Sequence, residues 1–412
     1  MGTISFTRTV RIRRRAAAAS LSVLALAGVM CSGVTAAQAS GQAAGSAGTG
    51  CPRSVTGGAA ASVTASITAS PSPWPASGQA AVPWRSVGRG WILADLATSA
   101  SASGPGTLYL VSPGGHRYRL GRAPANATLE DWSGNGTNAL FLAQKPDSTK
   151  ASIIVLNLHT GKASSFTAYS GTPFPALSFS RPAGKAILFQ GGATTEGGFL
   201  PLQRFSLTGA REQCYPVQFP RAGAVDGGYL ETANGLDLVF STQNGMEVVS
   251  NAGQPVRALA LHAPDSCQML NWWNNQTVAA DCSGQLLTYP LSGGRPGHLT
   301  TSRDPGTFLG AWHLPSGTYA EAAACGSTWL EKLNPNGTVT TLTIPGAADA
   351  GTVQPLGAVG GQLPLLIGGG CDGHYAFSFV DWYNPAANVA RTVIGGPAGG
   401  GYVTDAILFP AG

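Results

Sequence analysis

Leu129-Glu130-Asp131-Trp132-Ser133-Gly134-Asn135-Gly136, with the apolar run Ala139-Leu140-Phe141-Leu142 just after it, decides the fold of this chain. A short alternating strand ends in Trp-Ser, a Gly/Asn turn reverses the backbone, and a second, wholly apolar strand follows. This is the pattern of a hairpin whose second strand is buried on both faces. Next comes another hairpin, Ile153–Leu158, turning at His159-Thr160-Gly161. Four strands therefore occupy about forty residues, and the unit then repeats.

The second hairpin recurs at Leu108–Val111 with Ser112-Pro113-Gly114-Gly115, at Leu202–Leu207 with Thr208-Gly209, and at Met246–Ser250 with Asn251-Ala252-Gly253. It recurs again at Leu286–Leu291 with Ser292-Gly293 and at Trp329–Leu333 with Asn334-Pro335-Asn336-Gly337. The turn glycines 114, 161, 209, 253, 293 and 337 stand 40 to 48 residues apart. A seventh hairpin, Tyr375–Val393, turns at Asn384–Asn388 without the glycine. Copies of the first hairpin start at Leu177 and Tyr229, and looser ones near Leu270, Leu309 and Val353. This period with four strands per unit is the signature of propeller blades.

The ends complement each other. Trp91–Leu96 reads as a second-position strand with no inner strand before it, and Tyr402–Phe409 is a lone strand with no partner after it. Paired, they make one complete blade and leave the ring no free edge. The expectation is an all-β, seven-bladed β-propeller of four-stranded antiparallel blades over residues 85–412, closed by the C-terminal strand. A two-domain β-sandwich explains neither the period nor the ends.

The quoted segments resemble the TolB-like and WD40-like propeller repeat, whose inner strand reads roughly W-S-P-D-G before an apolar second strand. Trp132-Ser133 keeps the Trp-Ser pair, while no copy here keeps Pro-Asp-Gly. The resemblance spans about residues 90–412. It implies the propeller fold and work done through protein contacts.

Composition agrees. With 57 Gly, 28 Pro and 10% charged residues, the chain has many turns and lacks the Glu, Lys and Arg that clothe amphipathic helices. Residues 1–39 read as a cleaved signal peptide: Arg8, Arg11 and Arg13-Arg14-Arg15, an apolar stretch Ala16–Val29, and Ala37-Gln38-Ala39 as a cleavage site. The export route, Sec or twin-arginine, stays open. Residues 40–84, rich in Ala, Ser, Gly, Thr and Pro, read as a disordered linker. A secreted or envelope-associated protein with no transmembrane segment in the mature chain is expected.

Residues 1–39 hold five of the 24 Lys and Arg and none of the 19 Asp and Glu, so the mature chain has equal numbers of bases and acids. A net charge near zero excludes a footprint for a phosphate backbone, and no nucleic acid is expected. Six cysteines survive cleavage and allow fifteen connectivities. Cys267 and Cys282 fall opposite each other on a hairpin turning at Asn274–Gln276. Cys325 and Cys371 end second-position strands of neighbouring blades, and Cys51 with Cys214 remain by elimination. No C-x-x-C spacing occurs, so neither a metal nor a cofactor is expected.

Inner strands line a propeller's channel, so polar residues at their ends are the candidate binding residues: Glu130, Asp131, Glu231, Asn271, Trp272, His313 and Asp405. Carboxylates at strand ends are more often solvated or bonded to turn amides than catalytic, and chain spacing cannot show a facing acid–base pair. Trp132, Trp273 and Trp312 share a repeated position and are read as packing between blades, with Trp272 on the opposite face. G-x-S-x-G is absent, against a prolyl-peptidase-type hydrolase domain, and so is the Asp-box of sialidases. The expectation is a non-enzymatic, monomeric scaffold that binds a protein or envelope partner. The alternative is an extracellular hydrolase or lyase that takes a small carbohydrate ligand through channel carboxylates.

Overall fold

The computed structural model describes residues 82–98, 105–144, 148–169, 176–191, 202–215, 229–242, 245–260, 267–300, 307–369, 377–396 and 400–410. The expected signal peptide, almost all of the expected linker, Cys51 and Cys371 lie outside these residues. Among the described residues the structure is strand throughout, apart from one 3-10 turn at Trp84–Ser86.

The first sheet contains β1 (Ile92–Ala97), β2 (Thr107–Val111) and β3 (Arg117–Arg122); the second is β4 (Thr128–Trp132), β5 (Asn138–Gln144), β6 (Lys150–Asn157) and β7 (Ala163–Tyr169). The third is β8 (Ala176–Phe179), β9 (Ala186–Gln190), β10 (Leu202–Ser206) and β11 (Arg211–Cys214). The fourth is β12 (Tyr229–Glu231), β13 (Asp237–Thr242), β14 (Gly245–Ser250) and β15 (Pro255–Ala260). The fifth is β16 (Cys267–Asn274), β17 (Thr277–Cys282), β18 (Gln285–Pro290) and β19 (Gly297–His298). Eight strands make the last sheet: β20 (Thr307–Leu314), β21 (Gly317–Ala324), β22 (Ser327–Leu333) and β23 (Val339–Thr341), then β24 (Ala350–Pro355), β25 (Leu363–Gly369), β26 (Ser378–Asn384) and β27 (Val389–Gly395). Its two four-stranded antiparallel halves meet through a single parallel pair, Thr328 with Thr352. β28 (Tyr402–Leu408) pairs antiparallel with β1, Ala94 opposite Ala406, and so completes the first sheet from the far end of the chain.

Second strands are the most buried, as their apolar runs require: β9 is buried at every position and β5 at Ala139–Leu142. Their two faces serve different interfaces. Leu140 and Leu142 pack toward the third sheet with Phe179 and Phe189, whereas Ala139 and Phe141 pack toward the first with Leu93 and Leu108. Burying both faces of each sheet spreads the core through all the interfaces between sheets.

The turns after the first strands share one chemistry. Ser133 Oγ bonds Asn135 Oδ1 and accepts from Asn138 N; Thr232 Oγ1 does the same with Asn234 Oδ1 and Asp237 N. The Ser/Thr-x-Asn-Gly turn thus satisfies its own backbone donors, which is why Ser follows Trp in the repeat. Two of these glycines are fixed by crowding. A Cβ on Gly134 would stand 1.8 Å from Pro182 O, and one on Gly235 1.9 Å from Arg181 O.

Cys267 and Cys282 are disulfide-bonded across β16 and β17, in the expected register. Cys214 is disulfide-bonded as well, and its expected partner Cys51 lies outside the described residues. The expected Cys325–Cys371 bond is corrected: Cys325 is a free, exposed thiol. With Gly326 it forms the tight turn between β21 and β22 at φ 50°, so it caps a hairpin rather than facing the neighbouring sheet.

Candidate functional site

The inner-strand carboxylates bind backbone. Asp405, fourth residue of β28, accepts a hydrogen bond from Leu129 N of β4 at 3.2 Å. Asp131 holds the same place in β4 and accepts from Phe179 N of β8 at 2.8 Å. Both are buried, at 6% and 2% exposure. Repetition has turned one strand position into a link from each of these sheets to the next.

Arg181, in the turn after β8, gathers a larger cluster. Its Nη2 lies 3.0 Å from both oxygens of Asp131, and its Nη1 donates to Trp132 O at 3.2 Å. Its backbone N–H donates to Glu231 Oε2 at 2.6 Å. The indole Nε1 of Trp272 donates to Glu231 O at 2.9 Å, and the Tyr229 hydroxyl lies 2.7 Å from Ser178 Oγ. Burial pushes the Glu231 carboxyl up to about 7, against the opposing pull of the Arg181 N–H and the charges of Arg181 and Arg204. Glu231 Oε1 has no hydrogen-bond partner. Burial also raises the Tyr229 hydroxyl. Two carboxylates therefore converge here, one from the second sheet and one from the fourth, on a guanidinium-bearing turn of the third.

Of the expected binding residues, Asp131, Glu231 and Trp272 meet in this cluster. Asp405 links the first and second sheets instead. Asn271 straps the fifth sheet to the sixth through Ala311, donating to its carbonyl at 2.8 Å and accepting from its N–H at 2.9 Å. His313 is exposed, 3.3 Å from Thr318 Oγ1 and tilted against the Trp273 ring. Glu130 is half-buried, at the register shift between Leu129 and Asp131 in β4. Trp132 is fully buried edge-on to Phe409, while Trp273 and Trp312 pack against the cores of the last sheet. Sequence reading missed Arg181, Ser178 and Tyr229. The signal was an arginine in the turn Ser180-Arg181-Pro182, one repeat after Asp131 and one before Glu231.

No group of three or more His, Cys, Asp or Glu among the described residues is placed to hold a metal ion. No helix among them is long and apolar enough to cross a membrane.

These sheets define the class: the chain has a β-propeller fold. No family profile matches it, and no curated protein does. Among solved structures it is similar to the β-propeller domain of the Trilobed protease from Pyrococcus furiosus, with 11% identity, a TM-score of 0.50, and coverage of 74% of this chain and 95% of that one. A prolyl endopeptidase structure (TM-score 0.48, 11% identity) aligns over 70% of this chain and 46% of its own. An acylaminoacyl peptidase in complex with Z-Gly-Gly-Phe-chloromethyl ketone (TM-score 0.47, 12% identity) likewise aligns over 70% of this chain, which spans about half of that peptidase.

Proposed function

We propose that the chain is an exported, non-enzymatic binding scaffold, built as a seven-bladed ring in which the two halves of the last sheet are separate blades and β28 closes the N-terminal blade. Polar side chains support the ring reading at every junction. Asp405 reaches Leu129, Asp131 reaches Phe179, Glu231 takes the Arg181 N–H, and Trp272 takes Glu231 O. Asn271 straps Ala311, Thr328 Oγ1 accepts from Val353 N, and Ser378 Oγ donates to Val403 O, back in the first sheet.

The observation that carries the non-enzymatic reading is the use of Asp131. A general acid or base needs a proton it can exchange with substrate. Asp131 is buried, bonded to Phe179 N and paired with Arg181, so its oxygens are spent on architecture. Within the Arg181 cluster, the carbohydrate hydrolase or lyase reading then keeps one carboxyl, Glu231, near neutrality and with an unbonded oxygen. One carboxyl without a second at a matched distance does not make a glycosidase. The TolB-like resemblance favours work through protein or envelope contacts. The test is turnover by the purified mature chain on panels of glycan, uronate and peptide substrates. No turnover is expected. Hydrolysis or elimination that Glu231→Gln abolishes would overturn the scaffold reading.

A further inference from the structure

The net charge near zero hides a separation of charge between the two ends of the sheets. In an antiparallel four-stranded unit the first–second and third–fourth turns lie at one end, and the second–third turn at the other. The neighbouring units are aligned, because their turns touch. The Arg391 Nη atoms donate to Pro113 O and Gly114 O at 3.0 Å, Arg257 Nη1 donates to Leu291 O at 2.8 Å, and Gly134 and Gly235 both abut the turn at Arg181-Pro182. The segment before β1 crosses the same end, with Trp84 stacked on His159 at 3.9 Å and Gly90 against Pro113 and Val359.

Across this end no Asp or Glu occupies any described turn, or the entering segment 82–91. Arg85, Arg89, Lys162, Lys185, Arg295 and Arg391 are all exposed there. In sequence, the connections between second and third strands and between sheets carry both signs, with acids at Asp147, Glu196, Asp226, Asp265, Asp304 and Asp372 and bases at Lys145, Arg221 and Arg303, while at the basic end Glu212 and Asp237 stand just inside β11 and β13. Among the described residues, the three exposed large apolar side chains share the cationic end: Leu236 (64%) in the β12–β13 turn, Val256 (55%) near the start of β15, and Val389 (56%) at the start of β27. Bases alone fit any polyanion. Bases interspersed with apolar tips that stand in water fit a surface that is anionic outside and apolar just beneath.

We infer that this end of the propeller docks on an anionic phospholipid bilayer. The inference deepens the binding-scaffold reading by naming the envelope partner, and it rests on that reading. Headgroup phosphates take the arginines and lysines, while Leu236, Val256 and Val389 enter the interface.

The experiment is sedimentation of the mature chain with vesicles of phosphatidylglycerol in phosphatidylcholine, and with phosphatidylcholine alone, at rising salt. Binding to the anionic vesicles only, weakening with salt, is expected. At about fivefold in affinity per basic residue near the surface, Arg85→Glu with Arg89→Glu should weaken it about 25-fold or more. Arg122→Glu with Lys150→Glu, at the opposite end, should leave affinity within about twofold. Leu236→Ser with Val389→Ser should weaken binding at high salt, where the apolar contribution remains. All six positions are exposed, so far-UV circular dichroism of each variant should match the parent. Equal binding to both vesicle types, or loss through the opposite-end variant, would overturn the inference. So would an apolar-tip variant that binds as well as the parent, since charge alone would then be read. Failure here leaves the turnover test above unchanged, so the two readings fail separately.

Discussion

Glu321 offers the sharpest physical test of this structure. It lies in the middle of β21, between Gly310 of β20 and Leu330 of β22, at 5% exposure, and its Oε1 has no hydrogen-bond partner. Burial alone pushes its carboxyl from 4.5 up to about 8. The folded protein therefore holds a proton that the unfolded chain has released between those two values. Where the unfolded state binds fewer protons, stability falls as pH rises. The contribution is fully present below pH 4.5, is lost up to about pH 8, and changes no further above it. At about 1.36 kcal/mol per pH unit, the full difference is about 5 kcal/mol, comparable with the whole stability of many domains. Local opening that hydrates the carboxylate lowers it toward a few kcal/mol. Glu321→Gln keeps size and shape and removes the titration. Urea unfolding, followed by tryptophan fluorescence at pH 5, 7 and 8.5 with Cys325 alkylated, gives the comparison. The two proteins should differ by under about 1 kcal/mol at pH 5, and the variant should be the more stable by several kcal/mol at pH 8.5. Glu231 and Asp381, also raised by burial, tilt both profiles alike and cancel in the difference. A difference between the proteins that does not change with pH would refute the reasoning.

Four further outcomes are expected. Asp405→Ala strips the buried Leu129 N–H of its acceptor and should cost about 1–3 kcal/mol in urea unfolding; no measurable cost would mean that this link is not made. Replacing Cys267 and Cys282 by serine, with 15 residues of sequence separation, should cost about 3 kcal/mol in urea unfolding against the oxidised parent, the Cys214 disulfide being kept in both. Gly134→Ala should destabilise although alanine stiffens the unfolded chain, because the new Cβ meets Pro182 O; a higher melting temperature would show that the two turns do not touch. Ala94→Cys with Ala406→Cys places thiols on paired residues of β1 and β28, and a disulfide should form under mild oxidation. Its absence from the folded protein would show that the first sheet is not completed by β28.

What the sequence made legible was local. The hairpins declared themselves through period-two alternation and turn residues, and Ser133 and Thr232 close their turns on atoms two to five residues away. Cys267 and Cys282 were readable for the same reason, since one tight turn fixes the register between them. Contacts between units were not readable. Asp131 finds Phe179 N 48 residues on, Glu231 finds Arg181 N 50 residues back, and Asp405 finds Leu129 N 276 residues away. No local pattern marks such partners. Cys325 misled for a related reason: the end of a second strand looks the same in sequence whether the next loop is long or a two-residue turn.

The repeat also explains why two of the candidate carboxylates bond backbone of the next unit. A fold that stacks similar units needs links between inner strands, and any polar residue at the repeated strand position is recruited to make one. Asp405 and Asp131 are recruited in this way, each to a backbone N–H of the next unit. Glu231 follows only halfway, taking the Arg181 N–H with one oxygen and leaving the other unbonded, with its carboxyl near neutrality. Function in such a chain is freer at the exposed side chains of the turns, which face water. There, at one end, stand arginines, lysines and exposed leucine and valine, with no acid in the described turns themselves and only Glu212 and Asp237 just inside the strands. A selection for solubility alone would mix both signs across that end. That weighting toward one sign is what the proposed docking role of these turns rests on.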